Sequence, residues 1–233
     1  MTDFSGKQVV VTGGTGALGT AVVDALLKAG ASCIVPFVHL GEAQRFAHRE
    51  DKNVKLIAVG DLSDEADVAK VYAEAALWAS IHIAGGFAAG NLADTDKPAL
   101  MAQIDSNLVS CFLCCRAAVS AMMKDKHGGR IVNVTARPAL EPRSGAGMTA
   151  YTVAKSGVAA LTVALAEEVA KEGILVNAVA PSTMDTPANR KAMPKADFDK
   201  WPKVEEVAAT ILFLASPANK VTRGAIVPVY GKS

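Results

Sequence analysis

Short runs of β-branched and other apolar residues alternate along this chain with longer amphipathic stretches. This alternation predicts parallel strands that are joined by helical crossovers. The predicted strands are Gln8–Thr12, Ser32–Val38, Val54–Val59, Ser80–Ala84, Arg130–Thr135, Leu175–Val179 and Ala225–Val229. The predicted helices are Ala17–Lys28, Leu40–Glu50, Ser63–Trp78, Lys97–Lys126, Ala150–Lys171 and Val204–Leu214. Because the strand segments are apolar almost throughout, we expect an α/β fold with a doubly wound, seven-stranded parallel sheet and helices on both faces.

The length and composition favour a single domain that spans residues 1–233. Hydrophobic residues make up 51% of the 233 residues, which is enough for one core of α/β size. The net charge is only +1, so we expect neither nucleic acid nor a membrane surface as a partner. No apolar run approaches the ~18 residues of a membrane span, and the N-terminus lacks the pattern of a signal peptide. We therefore expect a soluble, cytoplasmic protein.

A glycine-rich turn, Thr12-Gly13-Gly14-Thr15-Gly16-Ala17-Leu18-Gly19, joins the first predicted strand to the first predicted helix. Glycine permits positive φ and the close approach of an anion, and the start of a helix presents unpaired N–H groups. The segment therefore predicts a pyrophosphate site in a Rossmann-type fold, with an ordinary glycine turn as the alternative.

Tyr151 and Lys155 are four residues apart in a predicted helix and therefore share one of its faces. A free tyrosine, with a pKa near ~10, is a poor base at neutral pH, but a nearby cation favours the phenolate and lowers that pKa. The pair is thus predicted to exchange a proton with a carbonyl or an imine. A surface tyrosine and a solvated lysine are the alternative interpretation.

Residues 181–202 lie between the sixth predicted strand and the last predicted helix, and they contain Pro181, Pro187, Pro194 and Pro202. So many prolines exclude a long regular helix. The segment follows the carboxyl end of a strand, where open α/β sheets bind their ligands. It is therefore predicted to be a substrate loop.

Three of the four cysteines, Cys111, Cys114 and Cys115, fall in one apolar helical stretch. Cys111 and Cys114 form a C-x-x-C pattern, but the sequence offers no second pair and no nearby histidine, so no metal site is predicted. Buried packing residues are the favoured interpretation, and a redox role is the alternative.

The glycine turn, the Asp61-Leu62 pair, Asn107, Tyr151 and Lys155 together resemble the short-chain dehydrogenase/reductase family over nearly the whole chain. The resemblance implies a nicotinamide-dependent oxidoreductase in which Tyr151 and Lys155 are catalytic and Asn107 holds a proton-relay water. The implied cofactor-binding positions are Thr12, Gly13, Thr15, Gly16, Ala17, Leu18, Gly19, Asp61, Leu62, Ala84, Gly85, Tyr151, Lys155, Pro181 and Thr186.

Two positions depart from the family pattern. His82-Ile83-Ala84-Gly85 stands where the family has N-N-A-G, and the histidine is expected to be structural, with a catalytic role as the alternative. The family's catalytic serine falls on Ala136 when counted from the fifth strand and on Pro138 when counted back from the tyrosine. Thr135 and Ser144 are the hydroxyl residues in the same loop that would replace it.

Two segments, 84–90 and 185–201, resemble those of dihydropteridine reductases, a group within the family that likewise lacks the serine. The resemblance implies a conjugated imine substrate such as a quinonoid dihydropterin, which builds no localised oxyanion. The alternatives are a 3-oxoacyl, small-ketone or quinone reductase and, from another class, a non-catalytic nucleotide-binding sensor or structural subunit.

The second predicted strand ends without the acidic residue that binds the adenine ribose in many NAD enzymes, and the next acid is Glu42. Arg45 or Arg49 would reach a 2′-phosphate, unless both form the solvated face of the following helix, so NADP is favoured over NAD. The resemblance also implies a homodimer or homotetramer that forms through two helices, Lys97–Lys126 and Ala150–Lys171.

Overall fold

The structure is a computed structural model that describes residues 3–73 and 76–233. The strands are β1 Gln8–Thr12, β2 Ser32–Phe37, β3 Val54–Ala58, β4 Leu77–His82, β5 Gly129–Val134, β6 Ile174–Pro181 and β7 Ile226–Val229. Within the described residues they form one seven-stranded sheet in the order β3-β2-β1-β4-β5-β6-β7. Each neighbouring pair in this order is parallel, which confirms the predicted sheet.

Helices connect the strands and cover both faces of the sheet. They are α1 Ala17–Lys28, α2 Leu40–Arg45, α3 Glu65–Tyr72, α4 Lys97–Ile104, α5 Ser110–Asp125, α6 Arg137–Leu140, α7 Thr149–Glu168, α8 Pro187–Ala192 and α9 Val204–Ala215. A π-helical turn, Asp105–Val109, joins α4 to α5. The helix predicted at Lys97–Lys126 therefore exists, with one widened turn of the kind that often marks a functional site.

Apolar side chains cover both faces of the sheet. On β1, Val9 and Val11 pack in a cluster with residues of α1 and α9, whereas Val10 packs in a second cluster with residues of α3, α5 and α7. Successive side chains of a strand point to opposite faces, so a strand buried on both faces must be apolar at every position. This is the physical reason for the continuous apolar runs in the sequence.

The fourth strand lies earlier in the chain than the predicted Ser80–Ala84. β4 begins at Leu77 because Leu77 and Ala79 already pair with β1. The helix predicted at Ser63–Trp78 is correspondingly shorter, since α3 ends at Tyr72 and Trp78 belongs to the strand. Residues 74–75 of that predicted helix lie outside the described residues.

The start of α3 and the end of α2 also differ from the prediction. Asp64, rather than Ser63, caps α3, because its carboxylate accepts hydrogen bonds from the backbone N–H groups of Ala66 at 2.8 Å and Asp67 at 3.1 Å. The helix predicted at Leu40–Glu50 ends at Arg45. The remaining bounds of helices and strands differ from prediction by a few residues at their ends.

Two helical stretches, Lys97–Asp125 and Thr149–Glu168, are long and apolar enough to span a membrane when judged by length and composition alone. Both contact the sheet, α5 through β4 and α7 through β6. Of their most apolar windows, 50% and 39% respectively are buried inside the fold. Helices that pack on a core show this pattern.

Candidate active site

A cleft of about 680 Å³ opens at the carboxyl ends of β1, β2 and β4. The strand order reverses between β1 and β4, and open α/β sheets bind their ligands at such a switch point. Ten of the predicted cofactor-binding residues line this cleft: Gly13, Thr15, Gly16, Ala17, Leu18, Gly19, Asp61, Leu62, Ala84 and Gly85. Thr12 contacts one of these lining residues, because its hydroxyl accepts a hydrogen bond from the Ala84 N–H at 3.2 Å.

The glycine turn has the geometry that a diphosphate requires. Gly13 has a φ of +66°, and a Cβ at this position would lie 2.7 Å from the backbone nitrogen of Ala84. A Cβ at Gly19 would lie 2.1 Å from the carbonyl oxygen of Gly13. α1 starts at Ala17, within this segment and without a capping side chain from the described residues, and its first residues, Ala17, Leu18 and Gly19, line the cleft. These features fit the pyrophosphate of a dinucleotide.

Charged residues of both signs line the far end of this cleft. His39, Glu42 and Arg45 belong to its wall, and the Glu42 carboxylate accepts a hydrogen bond from the Thr15 hydroxyl at 3.3 Å. Arg49 points elsewhere, since its guanidinium donates to the carbonyl of Gln44 and to the carboxylate of Glu50. Of the two predicted arginines, only Arg45 therefore lines the cleft in the described part of the chain.

A second cavity of about 200 Å³ adjoins the cleft, and Leu18, Ile83, Gly85 and Gly86 line both. The predicted catalytic residues line the second cavity together with one of the predicted loop residues: Asn107, Tyr151, Lys155 and Pro181. Thr186 is absent from the lining described for both cavities. Its hydroxyl caps α8 by accepting a hydrogen bond from the Asn189 N–H at 3.1 Å.

Burial controls the protonation of the Tyr151/Lys155 pair. The Lys155 ammonium donates to the carbonyl of Val134 at 2.9 Å and lies 5.9 Å from the centre of the Tyr151 ring. Burial raises the pKa of Tyr151 to about 12 and lowers the pKa of Lys155 to about 8. The expectation that the ammonium lowers the phenol pKa is therefore wrong for this state, because desolvation outweighs a cation that makes no direct hydrogen bond to the hydroxyl.

Asn107 lies on the π-helical turn and contributes an unpaired acceptor to the second cavity. Its amide nitrogen donates to the carbonyls of Gly86 at 2.9 Å and Gln103 at 3.0 Å. Its Oδ1 atom is buried and has no hydrogen-bond partner among residues 3–73 and 76–233. A Cβ at Gly85 would lie 2.5 Å from this oxygen and 3.4 Å from Lys155 Nζ, so only glycine keeps the space between them open.

The family description "short chain dehydrogenase" matches residues 7–197. The chain belongs to the short-chain dehydrogenase family. It is 34% identical to a galactitol 2-dehydrogenase of Rhizobium johnstonii, over 97% of this chain and 94% of that protein. It is 28% identical to a 3-oxoacyl acyl-carrier-protein reductase of Rickettsia conorii, over 99% of this chain and 98% of that protein. An oxidoreductase of the same family from Burkholderia thailandensis has a crystal structure that matches with a TM-score of 0.87 at 26% identity, over 97% of this chain and 91% of that one.

This short-chain dehydrogenase is therefore an oxidoreductase with the fold of its family, in which NAD(P) dependence is typical. None of the three relatives above is named a dihydropteridine reductase. The family assignment covers the fold and the general reaction and leaves the substrate open.

Neither of the two expected hydroxyl residues, Thr135 and Ser144, is free to replace the family's serine in this dehydrogenase. The Thr135 hydroxyl donates to the carbonyl of Lys155 at 2.7 Å, and the exposed Ser144 hydroxyl donates to the carbonyl of Glu141 at 2.8 Å. Ala136 lines the second cavity at the serine position, which favours the count from the fifth strand over the one that reaches Pro138.

Phe87, Ser182 and Met184 are among the residues that line the second cavity of the dehydrogenase without having been predicted as site residues. The Phe87 ring contacts the Tyr151 ring edge to face, with centroids 5.1 Å apart and planes at 85°. Phe87 is nevertheless 62% exposed, so one side of its ring is free. The signal in the sequence that could have identified Phe87 is its position as an aromatic residue within the glycine-rich segment 84–90.

The predicted substrate loop, residues 181–202, contains only short helices, as its prolines predict: α8 and a 3₁₀ turn at Phe198–Lys200. It is held by Asp185, whose carboxylate accepts two hydrogen bonds from Arg190, at 2.5 and 2.9 Å, and another from Lys203. These cations hold the pKa of Asp185 well below its ordinary value. The loop is thereby fastened to the start of α9.

Proposed function

We propose that this dehydrogenase is an NADP(H)-dependent reductase of a planar, conjugated imine or carbonyl substrate, dihydropteridine-like in its chemistry. One observation carries the proposal: the second cavity places Tyr151 and Lys155 beside an exposed aromatic ring and puts Ala136 where the family has a hydroxyl donor. The bound nicotinamide would supply the hydride. The site residues of the chain then supply the proton and the orientation.

Tyr151 is the proposed proton donor. Its raised pKa keeps the phenol protonated at neutral pH, which is the state that a reduction needs. Lys155 lies close enough for its charge to stabilise the phenolate that remains after proton transfer. The unpaired Oδ1 atom of Asn107 accepts a hydrogen bond from a water that returns the proton to this pair.

The absence of a donor side chain at position 136 favours a conjugated substrate. Reduction of a simple ketone develops negative charge on one oxygen, and a positioned donor stabilises that charge. A conjugated imine spreads the charge over its own ring and gains less from such a donor. The free side of the Phe87 ring offers a stacking surface for a planar substrate.

A second candidate is the reduction of 3-oxoacyl thioesters, which the Rickettsia conorii relative favours by its name. A nucleotide-binding sensor without turnover is the third candidate, and the missing serine motivates it. A substrate panel separates the three: quinonoid dihydropterin, a 3-oxoacyl thioester, a small ketone and a quinone, each with NADPH and with NADH. Turnover of the thioester alone contradicts our proposal, and tight nucleotide binding without any turnover favours the sensor.

Restoring the serine is expected to broaden the substrate range. In Ala136→Ser, reduction of a ketone or 3-oxoacyl thioester should rise about tenfold or more, because one donor aimed at the developing oxyanion has an effect of this size. Reduction of quinonoid dihydropterin should change by less than about twofold. Steady-state kcat/KM on both substrates measures the effect, and Ala139→Ser, three residues further along, is the control. An equal rise on both substrates contradicts the explanation from charge delocalisation.

Cofactor choice is expected to depend on Arg45. Arg45→Ala should weaken NADPH binding about tenfold, because an arginine–phosphate contact is a charge-assisted hydrogen bond, and it should leave NADH binding unchanged. Glu42→Gln should strengthen NADPH binding by removing a carboxylate from the same wall. Fluorescence titration with both nucleotides measures the dissociation constants, with Arg49→Ala as the control. Tighter binding of NADH than of NADPH by the unmodified protein contradicts the preference.

We also propose a domain organisation, a location and an oligomeric state for this dehydrogenase. The chain forms one domain over residues 1–233 and acts in the cytoplasm. It assembles as a homodimer or homotetramer through the outer faces of α5 and α7, where Phe112, Val153 and Val163 are about half exposed. Contiguous apolar patches mark protein–protein interfaces, and these side chains are our candidates for such a patch.

A further inference from the structure

Three side chains with metal-binding atoms meet in the core behind the active site. His82 lies at the end of β4, and Cys111 and Cys115 are one helical turn apart on α5. The imidazole nitrogen and the two sulfur atoms all lie within 4.8 Å of one another, and each residue is at most 5% exposed. The expectation of no nearby histidine was wrong, because β4 carries His82 to this helix from far away in the sequence.

Asn133 of β5 adds a fourth atom to this group. Its Oδ1 lies 2.8 Å from His82 Nδ1, 3.3 Å from Cys111 Sγ and 3.5 Å from Cys115 Sγ. His82 Nδ1 and Cys115 Sγ are 3.5 Å apart. A tetrahedral ion with bonds of 2.0–2.3 Å separates its ligand atoms by roughly 3.3–3.8 Å. Most of the observed separations already lie close to this range.

All four atoms of this cluster carry lone pairs. The carbonyl oxygen of Asn133 lies within hydrogen-bond distance of the imidazole nitrogen and of both thiols. A cation at the centre would replace the two thiol protons, the imidazole proton would move to Nε2 beside the Ser80 hydroxyl, and the ion would receive a lone pair from each of the four atoms. The cluster therefore has the polarity of a metal site as well as its shape.

Outer partners hold the ligand atoms in place. Nε2 of His82 lies 2.8 Å from the Ser80 hydroxyl and 3.3 Å from the Tyr72 hydroxyl, so the opposite nitrogen faces the thiols. The Asn133 amide nitrogen donates to the Thr162 hydroxyl at 2.9 Å, which turns its oxygen towards the cluster. Metal-binding histidines are characteristically fixed in this way.

We propose that His82 Nδ1, Cys111 Sγ, Cys115 Sγ and Asn133 Oδ1 form a site for one thiophilic divalent ion of the Zn²⁺ class. The two thiols release their protons on binding, and two thiolates balance the charge of the ion, so a buried site stays neutral. The proposal is independent of the reductase activity.

The C-x-x-C pattern in the sequence pairs Cys111 with Cys114, whereas the cluster in the structure pairs Cys111 with Cys115. Cys114 is buried on the same helix but is not one of the grouped ligand residues, and burial raises its pKa to about 12. Cys33 lies on β2, and burial raises its pKa to about 12 as well. These two thiols provide matched controls.

Cobalt(II) is the probe that tests the site, because thiolate-bound tetrahedral Co²⁺ absorbs strongly in the visible and near ultraviolet. The full-length protein is freed of metal with a chelator and titrated with Co²⁺, both in its native state and after refolding with Co²⁺ present. We expect one Co²⁺ per chain with thiolate-to-metal absorption, and displacement of Co²⁺ by Zn²⁺. The spectrum should persist in Cys114→Ser and Cys33→Ser and be lost in Cys111→Ser and Cys115→Ser.

Stability provides a second readout. Zn²⁺ should raise the Tm of the unmodified protein and of Cys114→Ser, and it should leave the Tm of a Cys111→Ser/Cys115→Ser double variant unchanged. The proposal is overturned if the unmodified protein gives no thiolate absorption with Co²⁺ in either preparation. It is equally overturned if the double variant, with a circular dichroism spectrum like that of the unmodified protein, keeps the absorption.

Discussion

Tyr151→Phe is expected to lower turnover by a factor of about 100 or more, since proton transfer by a positioned side chain typically contributes that much. The change removes one oxygen and leaves the ring that contacts Phe87, so the cavity keeps its shape. Nucleotide binding should therefore remain close to that of the unmodified protein. Steady-state kcat with the best substrate of the panel, combined with a nucleotide titration, measures both quantities.

The matched control for this variant is Tyr230→Phe. Tyr230 packs its ring against the Arg137 guanidinium, 4.9 Å from the ring centre, and is absent from the described lining of both cavities. Its loss of a hydroxyl should leave turnover nearly unchanged. Near-normal turnover in Tyr151→Phe would remove the tyrosine from the proposed chemistry and would leave only the fold and the nucleotide cleft.

The parts of the molecule that local sequence could predict are those that local physics determines. The glycine turn is one, because positive φ at Gly13 and the close contact at Gly19 exclude other residues there. The shared helix face of Tyr151 and Lys155 is another, since a spacing of four residues places two side chains about one turn apart. Both features follow from a few neighbouring residues.

Features that depend on contacts between distant segments could not be predicted. The start of β4 at Leu77 is set by pairing with β1, and the helical pattern before it continues without a visible break. The hydrogen bond from the Thr135 hydroxyl to the Lys155 carbonyl depends on how α7 packs on β5. The approach of His82 to Cys111 is of the same kind, because strand order rather than sequence distance brings them together.

The pKa values of Tyr151 and Lys155 show the same difference between local effects and effects of the whole fold. The spacing of Tyr151 and Lys155 indicates attraction between a phenolate and an ammonium, which is a local effect. The cost of desolvation depends on the whole cavity, and it raises one pKa and lowers the other. Sequence reasoning could identify the pair but gave the wrong direction for the Tyr151 pKa.

Lys155 is expected to set the upper pH limit of the reaction. Burial lowers its pKa from 10.5 to about 8, so the ammonium loses its proton as the pH rises through about 8. Tyr151 stays protonated over this range, because its pKa is about 12. The reductive kcat/KM, which reports the free enzyme, should therefore fall about tenfold per pH unit above about pH 8. Rates from about pH 6 to pH 10 at constant ionic strength measure the profile.

The same proton has the opposite effect on folding. Between about pH 8 and 10.5 the unfolded chain holds the Lys155 proton and the folded chain does not, so the contribution of this residue to the free energy of unfolding rises with pH. Lys155→Met should lose about a hundredfold or more in turnover, give a flat pH profile for its residual rate, and lack this increase in stability. The reductive rate and the contribution of Lys155 to stability are thus expected to move in opposite directions over the same pH window. An activity profile of the unmodified protein that stays level to pH 10, or an inflection that persists in Lys155→Met, would assign the limit to another group.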